Sequence, residues 1–312
     1  MVHAVTKKLH RFMPLTFDRV TPKALVDISL YAEMPAGFHS TNPSLLAFGD
    51  GFLVCVRGLN YVFHNNDMTK AVFTFGDRYR TVNRFFLVDR DFRLLYNLPA
   101  LDEAFDDVED IKLFRLGDQV MGVGSWGNPM DEDSGARSIA LLTIDPTLTG
   151  GSLRLIASPF GLRQEKNWAP FVSNGALHFI YSFDPLIVLR YDFTARKASF
   201  AAPHFAEFNS TALKFLIGGS SAGLPVTGGT LFAAHRRRVS LPSLDRTYIS
   251  RLYCLNEAGN VLTPGRYFTI GDASVQFING LERQGDDFII SFGAMDRSAW
   301  LCRVPQDRLT PR

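Results

Sequence analysis

Short apolar runs, separated by Gly, Asp, Asn and Pro, make up most of the chain. The runs are rich in β-branched and aromatic residues, which favour strands with a half-buried face. Nine of them are Phe52–Val56, Phe85–Val88, Val120–Val123, Ala140–Ile144, Leu177–Tyr181, Ile187–Tyr191, Leu231–Ala234, Phe288–Phe292 and Ala299–Val304. Leu101–Val108 and Phe205–Leu216 have room for a turn or two of helix, too little for a clear helical period. The pattern predicts an all-β protein.

One unit recurs five times: an apolar strand, a turn that contains glycine, and a second apolar strand. The turn glycines are Gly51, Gly117, Gly175, Gly229 and Gly285, which lie 66, 58, 54 and 56 residues apart. A repeat of this length made only of strands fits a four-stranded propeller blade with its loops. Because one blade cannot bury both of its faces, successive blades must stack around an axis.

We therefore predict a five-bladed β-propeller that occupies residues 1–312 as a single domain. The blade hairpins are expected near residues 44–57, 111–124, 168–181, 224–235 and 275–293. A β-sandwich with accidental hairpin spacing is the alternative.

Composition and charge remove several classes of function. The formal net charge is +2, which argues against nucleic acid or an anionic membrane surface as a partner. No apolar run approaches the ~18 residues of a membrane helix, and the segment Met1–Arg11 lacks the apolar stretch of a secretory signal. We expect a cytoplasmic protein that binds neither nucleic acid nor membrane, with a homo-oligomer as an open possibility.

The three cysteines, Cys55, Cys254 and Cys302, are far apart and each lies in an apolar run. This placement predicts buried free thiols, which suits a reducing compartment. The chain has no Cys-x-x-Cys motif and no Cys/His cluster, so we expect no metal site.

Polar residues flank the predicted inner strands of successive blades. They are Asn42, Arg57, Glu109, Asp110, Glu165, Lys166, Asn167, Trp168, His235 and Asp296. In a propeller the ends of the inner strands meet in one funnel, so residues remote in sequence converge there. Carboxylates, cations and a tryptophan in one funnel are typical of a sugar site, because sugars need polar partners for hydroxyls and an aromatic face for C–H groups.

Five short motifs, one in each blade, resemble those of a known family. They are Asn42-Pro-Ser44 with Val54-Cys-Val-Arg57, Glu109-Asp-Ile-Lys112, Lys166-Asn-Trp-Ala-Pro-Phe171, Gly229-Thr-Leu-Phe-Ala-Ala-His235 with Tyr248, and Ser291-Phe-Gly-Ala-Met-Asp296. In this order they resemble the inverting β-mannoside phosphorylases and hydrolases of glycoside hydrolase family 130, with related mannosyltransferases of the same fold. The resemblance spans about residues 42–304, through short motifs only.

The resemblance implies roles for individual residues. Hydroxyls of the donor sugar would be bound by Asp110 and Asp296. The catalytic centre would consist of Glu109, Asp110 and the residue at position 60, which is Asn60. Phosphate contacts would come from Lys112, Lys166, His235, Tyr248 and Arg251. Further substrate contacts would come from Asn42, Arg57, Arg80, Asn83, Glu165, Asn167 and Trp168. No cofactor is implied beyond inorganic phosphate or a sugar phosphate as co-substrate.

The chain departs from the family pattern at two positions. Lys112 stands where the family has arginine, and Asn60 stands where it has the general acid. An amide cannot donate and regain a proton as a carboxyl does. Another acid would then serve (Asp67, Asp77, Asp89 or Asp91), or a nucleotide-sugar donor would leave without protonation, or activity would be lost.

Three functions follow as hypotheses. The first is an inverting β-mannoside phosphorylase or a glycosyltransferase. The second is an inverting hydrolase of another five-bladed type, with Asp110 and Glu165 as its carboxyl pair. The third is a propeller that binds glycans without turnover.

Overall fold

The structure is a computed structural model that describes residues 17–63, 71–127, 136–161, 165–201, 217–239 and 246–309. In these ranges, 24 strands form five sheets of four or more strands and one small hairpin. Each large sheet is one blade, numbered I to V in chain order. The prediction of an all-β, five-bladed propeller is confirmed.

The chain enters through two short strands that belong to the last two blades. These are β1 (Asp18–Val20) and β2 (Ala24–Asp27). Blade I follows, with β3 (His39–Phe48), β4 (Gly51–Leu59), β7 (Thr81–Asp89) and β8 (Leu94–Asn97), and its insert is the hairpin β5 (Tyr61–Phe63) and β6 (Ala71–Phe73). Blade II holds β9 (Val108–Leu116), β10 (Gln119–Gly127), β11 (Arg137–Ile144) and β12 (Gly151–Ile156).

The remaining three blades repeat the same antiparallel order from the axis outward. Blade III holds β13 (Ala169–Ser173), β14 (Ala176–Phe183), β15 (Leu186–Asp192) and β16 (Lys197–Phe200). Blade IV holds β17 (Ile217–Gly219), β18 (Leu224–Val226), β19 (Gly229–Val239), β20 (Arg246–Asn256) and β21 (Leu262–Ile270). Blade V holds β22 (Gln276–Gln284), β23 (Asp287–Ala294) and β24 (Ser298–Pro305). Strand β1 pairs in parallel with β21, and β2 pairs antiparallel with β24.

In the described ranges, little helix interrupts the strands. A short helix at Pro99–Asp102 runs into a 3-10 turn at Glu103–Phe105, and a second 3-10 turn lies at Gln306–Arg308. The predicted helical segment Leu101–Val108 therefore gives only a turn before β9 begins. The other predicted segment, Phe205–Leu216, lies outside the described residues. Within the described ranges, no helix is long and apolar enough to span a bilayer.

The core consists of five apolar clusters, each at the seam between two neighbouring blades. Alternation along one strand shows how they arise. In β4, Leu53 and Cys55 pack toward blade II, whereas Phe52, Val54 and Val56 pack toward blade V. Successive side chains of a strand point to opposite faces, so each fully buried strand supplies two seams. Cys55 and Cys302 are buried, Cys254 is half-buried, and all three are free.

Polar side chains join the innermost strands of different blades near the axis. The Asn279 Nδ2 atom donates to the carbonyl oxygens of Asn42 (3.1 Å) and Ile111 (2.8 Å). The Ser44 hydroxyl accepts a hydrogen bond from the Leu113 amide at 2.9 Å, and the Ser291 hydroxyl donates to the Pro43 carbonyl at 2.5 Å. These bonds tie blades I, II and V together beneath the site.

Candidate functional site

Four polar residues at one end of the axis have left-handed backbone conformations. They are Asn42, Asp110, Asn167 and Asp296, with φ values of 42°, 53°, 62° and 51°, in or next to blades I, II, III and V. Asn and Asp tolerate this conformation better than other non-glycine residues. The sequence therefore places at these points the residue types that can turn the backbone and still carry a polar side chain.

Two of these residues lie in β-bulges of innermost strands. Asn42 and Pro43 together face Val56, and Asp110 and Ile111 together face Gly124. A bulge inserts one residue and re-aims the side chain next to it. Blades I and II thus direct an amide and a carboxylate into the same space.

That space is a cavity of about 480 Å³ to which all five blades contribute. Its lining residues are Asn42, Arg57, Tyr61 and Tyr79 from blade I, Glu109, Asp110 and Arg137 from blade II, Lys166 and Asn167 before blade III, His235, Arg237 and Tyr248 from blade IV, and Val275, Phe277, Gly293 and Asp296 from blade V. The volume lies in the range of small-molecule sites.

Arg57 is the buried centre of the charged floor. Its Nη1 atom lies 2.9 Å from Asp110 Oδ1, and its Nη2 atom lies 3.1 Å from Glu109 Oε1. Asn42 Nδ2 donates to the same Asp110 oxygen at 2.9 Å. Burial raises the pKa of Asp110, but Arg57, Lys112 and the Asn42 hydrogen bond outweigh it and lower the pKa to about 2. Asp110 is therefore an anion throughout the neutral range.

Glu109 is surrounded by three cations. Besides Arg57, Arg137 Nη1 lies 2.6 Å from its Oε1 atom and Lys166 Nζ lies 3.3 Å from its Oε2 atom. Burial would raise the pKa of Glu109, yet Arg57, Lys166 and Arg137 hold it below its usual range. Glu109 orders the cations of the cavity and stays ionised.

Asp296 is the third carboxyl of the cavity and differs from the other two. Within the described ranges, no cation lies within ion-pair distance of it. Burial raises its pKa to about 6 against the attraction of Arg57, and the negative charges of Asp110 and Glu109 add to the rise. Environments that push the pKa values of neighbouring carboxyls apart separate a proton donor from permanent anions.

His235 forms the opposite wall as a neutral ring. Its Nδ1 atom lies 2.8 Å from the Ser220 hydroxyl, its ring stacks on Tyr248 at 5.2 Å and 9°, and Phe277 meets it edge-on at 5.0 Å. Burial lowers the pKa of His235 to about 4, and the charge of Lys112 lowers it further. A Cβ atom on Gly218 would lie 2.7 Å from His235 Cε1, so glycine is needed for this close approach.

Lys112 lies beneath the floor and outside the lining of the cavity. Its side chain is buried, and its Nζ atom donates to the Asp110 carbonyl oxygen at 3.3 Å. Burial lowers the pKa of Lys112 to about 8, although the carboxylate of Asp110 opposes the shift. Lys112, which the sequence analysis expected to contact phosphate, therefore acts on the cavity only through its positive charge.

Two residues expected to touch the sugar are instead packed between blades II and III. Trp168 is among the most deeply buried side chains and lies against Phe179 and Tyr181. Its Nε1 atom donates to Glu165 Oε2 at 3.2 Å, and Ser158 Oγ donates to Glu165 Oε1 at 2.5 Å. Neither residue lines the cavity, so neither is placed to touch a sugar bound there.

Asn60 and Asn83 are buried, and their amides serve the backbone. Asn60 Nδ2 donates to the carbonyls of Phe75 and Arg78, both at 2.7 Å, and its Oδ1 atom accepts from the Arg80 amide at 2.8 Å. Asn83 Nδ2 donates to the carbonyls of residues 105 and 108 at 2.7 and 2.9 Å. Both side chains bind backbone groups of neighbouring segments, and neither lines the cavity.

Arg80 and Arg251 also lie outside the cavity. Arg80 is exposed, and its charge acts on Asp107. Arg251 Nε donates to the Gly265 carbonyl at 2.6 Å, and its guanidinium lies 4.3 Å from the centre of the Tyr267 ring in a separate pocket. The remaining predicted ligands of blades I to V (Asn42, Arg57, Lys166, Asn167, His235, Tyr248 and Asp296) do line the cavity.

The alternative acids lie away from the site or outside the described residues. Asp67 is not among the residues that the structure describes. Asp89 ends β7 and Asp91 lies in the turn that follows, where Asp89 Oδ1 accepts hydrogen bonds from the amides of Asp91 and Arg93 at 2.8 Å. Asp77 is exposed and does not line the cavity.

Several lining residues received no individual role from the sequence analysis. Arg237 lies two positions after His235 on β19, and strand alternation could have placed both on one face. Tyr61 begins the insert of blade I and Tyr79 follows the insert, and aromatic residues there look like ordinary strand residues. Arg137 begins β11, the third strand of blade II counted from the axis, and nothing local marks it.

No family model matches the chain, and no curated protein sequence matches it. Solved structures do resemble it. A β-1,2-mannobiose phosphorylase from Listeria innocua has a TM-score of 0.56 at 14% identity, over 88% of this chain and 93% of its own. The mannose phosphorylase MPT-4 from Leishmania mexicana has a TM-score of 0.54 at 11% identity, over 97% and 93%.

A third similar structure represents the GH130 family of mannoside phosphorylases, with glycoside hydrolases that target β-1,2-mannosidic linkages in Candida mannan. Its TM-score is 0.56 at 10% identity, over 88% of this chain and 87% of its own. At these identities the similarity establishes the fold. The resemblance drawn from the five motifs is thus confirmed as a shared five-bladed propeller architecture.

Proposed function

We propose that this protein is a carbohydrate-active enzyme of the inverting β-mannoside phosphorylase type. The observation that carries the proposal is the meeting, in one cavity, of three carboxyls with four cations. The cations are Arg57, Arg137, Lys166 and Arg237. Carboxylates suit sugar hydroxyls, and fixed cations suit an oxyanion. The names of the similar structures, two phosphorylases among them, support the same chemistry.

The surplus of positive charge favours phosphate over water as the attacking partner. When Asp296 carries a proton, the four cations outnumber the anions that line the cavity among the described residues, which are Glu109 and Asp110. A phosphate held by Lys166, Arg137 and Arg237 would restore the balance. The hydroxyl of Tyr248 and the neutral ring of His235 would add hydrogen bonds.

Asp296 is our candidate for the proton donor in place of Asn60. A phosphate oxygen attacks the anomeric carbon from the face opposite the leaving group, and the bond to the glycosidic oxygen breaks. Asp296 gives its proton to that oxygen, and the proton lost from the phosphate returns to Asp296 through solvent. The reaction is thus balanced with one carboxyl that cycles, whereas Asp110 and Arg57 hold the sugar.

The alternatives differ in what they need from the cavity. The hydrolase hypothesis relied on Asp110 and Glu165, and Glu165 is buried against Trp168 instead. A transferase would use the same cations for the phosphates of a nucleotide sugar. A non-catalytic glycan-binding propeller would bind sugars without releasing phosphate.

The test is acceptor-dependent phosphate release from α-mannose 1-phosphate. We expect release with mannose or short mannosides as acceptors, and a decrease of at least about tenfold in Lys166→Ala, equivalent to ~1.4 kcal/mol. Lys197→Ala, which removes an exposed cation from the outer strand of blade III, is the matched control and should keep full activity. Wild-type protein that binds mannosides but releases no phosphate would favour the glycan-binding alternative.

A further inference from the structure

A large aromatic side chain is exposed at this polar cavity, and a second is exposed in the same loop. Tyr79 is 54% exposed and lines the cavity, and Phe75 is 51% exposed nearby in the chain. Both belong to the loop at residues 74–80 that joins the insert of blade I to β7. Exposed aromatic rings at the rim of a polar cavity are typical of ligand contacts rather than of ordinary surface.

Tyr79 is the outer member of a group of rings that begins at the charged floor. Its ring meets Tyr61 edge-on at 4.8 Å and Phe73 at 5.2 Å. Tyr61 in turn lies close enough to Arg57 and Asp296 for their charges to act on its hydroxyl. A ligand group that extends from the carboxylates along this wall therefore meets Tyr79 next.

The loop is held in place by Asn60. Its amide donates to the carbonyls of Phe75 and Arg78 and accepts from the amide of Arg80, so one buried side chain pins the loop on both sides of Tyr79. The start of the loop is fixed as well, because the Thr74 hydroxyl donates to the Gly37 carbonyl at 2.5 Å. A platform fixed before binding loses less conformational entropy when a ligand arrives.

We propose that Tyr79 is an aromatic platform for a second pyranose ring, and that Asn60 is the positioning residue that holds it. The first sugar would occupy the charged floor, and the second would lie with its C–H face on Tyr79. The inference rests on the proposed function, since it names the acceptor side of the same site. It also assigns Asn60 a function at the position where the family resemblance leads to an acid.

The test compares binding of β-1,2-mannobiose and of mannose by isothermal titration calorimetry. Tyr79→Ala should weaken mannobiose binding by about 3- to 10-fold, the range of one aromatic contact, and leave the Kd for mannose unchanged. Tyr79→Phe should bind both like wild type, because the ring face makes the contact. Tyr96→Ala removes a 55% exposed tyrosine from the outer strand of the same blade, and should change neither Kd.

The Asn60→Asp variant distinguishes a positioning role of Asn60 from the role of a general acid at the same position. The carboxylate replaces the Nδ2 donor to Phe75 and Arg78, so we expect weaker mannobiose binding, faster proteolysis within the loop and no gain in phosphate release. Higher phosphate release in Asn60→Asp, or a mannobiose Kd unchanged by Tyr79→Ala, would overturn the inference. Wild-type protein that binds neither sugar would overturn the proposed function as well.

Discussion

At the scale of single residues, the three carboxyls of the cavity show how environment divides one chemical group into two roles. Glu109 and Asp110 lie against Arg57 and keep low pKa values. Asp296 is exposed to the charges of the same three residues but forms no ion pair among the described residues, and its pKa rises to about 6. A buried carboxyl with a raised pKa destabilises the folded state once it ionises.

Asp296→Asn should therefore stabilise the protein at neutral pH. The folded pKa of about 6 lies above the ordinary value of 3.8, so the contribution of Asp296 to stability is fully present below pH ~4 and is lost as pH rises through 6. We expect a gain of about 1 to 2 kcal/mol in unfolding free energy near pH 7.5, measured by urea denaturation, and none near pH 4.

The same variant tests the proton donor. Asp296→Asn should lose phosphate release. Release from α-mannose 1-phosphate is the reverse of phosphorolysis, so ionised Asp296 accepts the proton of the acceptor hydroxyl in this direction, and the rise in wild-type activity as pH increases through about 6 should be absent from the residual activity of the variant. A variant that keeps both the activity and the pH profile would contradict the assignment.

At the scale of elements, the innermost strands are shaped by bulges and by polar ties at the axis. Asn42 and Asp110 each lie in a bulge, and the close approach of Gly293 to Asn42 leaves no room for a Cβ atom. Asn279, the extra residue in the bulge of β22, donates to the carbonyls of Asn42 and Ile111. Strand β22 of blade V therefore helps to hold the segment of blade II that carries Asp110.

Asn279→Ala should weaken both stability and the site. Two buried carbonyl oxygens lose their donor, which costs about 1 to 3 kcal/mol, and we expect a lower urea midpoint together with weaker sugar binding. Asn97→Ala is the control, because it removes an exposed amide bonded to Glu33 at 2.8 Å. Equal stabilities of the two variants would show that the axial ties contribute nothing.

At the scale of the whole molecule, strands from the N-terminal part of the chain complete the ring. Strand β1 extends blade IV along β21, and β2 forms the outer edge of blade V along β24. Blade V is thus built from two ends of the described chain. The pairing covers the edges of the longer strands β21 and β24 and leaves the short strands β1 and β2 outermost, and short edge strands limit edge-to-edge aggregation.

Deletion of residues 1–27 should lower the melting temperature by about 5 °C or more, because the pairing and apolar burial of both strands are lost. Scanning calorimetry with light scattering would measure both the shift and the expected aggregation. Lys23→Ala is the control, since it removes only a partly exposed ion pair with Asp287 at 2.6 Å, worth ~1 kcal/mol or less. A deletion variant as stable as Lys23→Ala would refute the closing role of these strands.

Much of the architecture follows from local patterns in the sequence. Strand alternation and turn glycines are features of residues close together in the sequence, so the five hairpins could be predicted without knowledge of the fold. The funnel residues Asn42, Asp110, Lys166, His235 and Asp296 could be located for a related reason. In a propeller, equivalent ends of inner strands meet at the axis, whichever blade they come from.

The sequence by itself determined the all-β repeat, the number of blades and the segments that reach the funnel. Tertiary structure alone decided which side chains face the cavity. Trp168 and Glu165 are close in sequence to the cavity residues Lys166 and Asn167, yet they are packed between two blades. Asn60 binds the backbone of the loop at residues 74–80 instead of lining the cavity. Arg137 reaches Glu109 from a strand further from the axis. A one-residue bulge or a change of strand face reverses the direction of a side chain, and those choices depend on packing between blades.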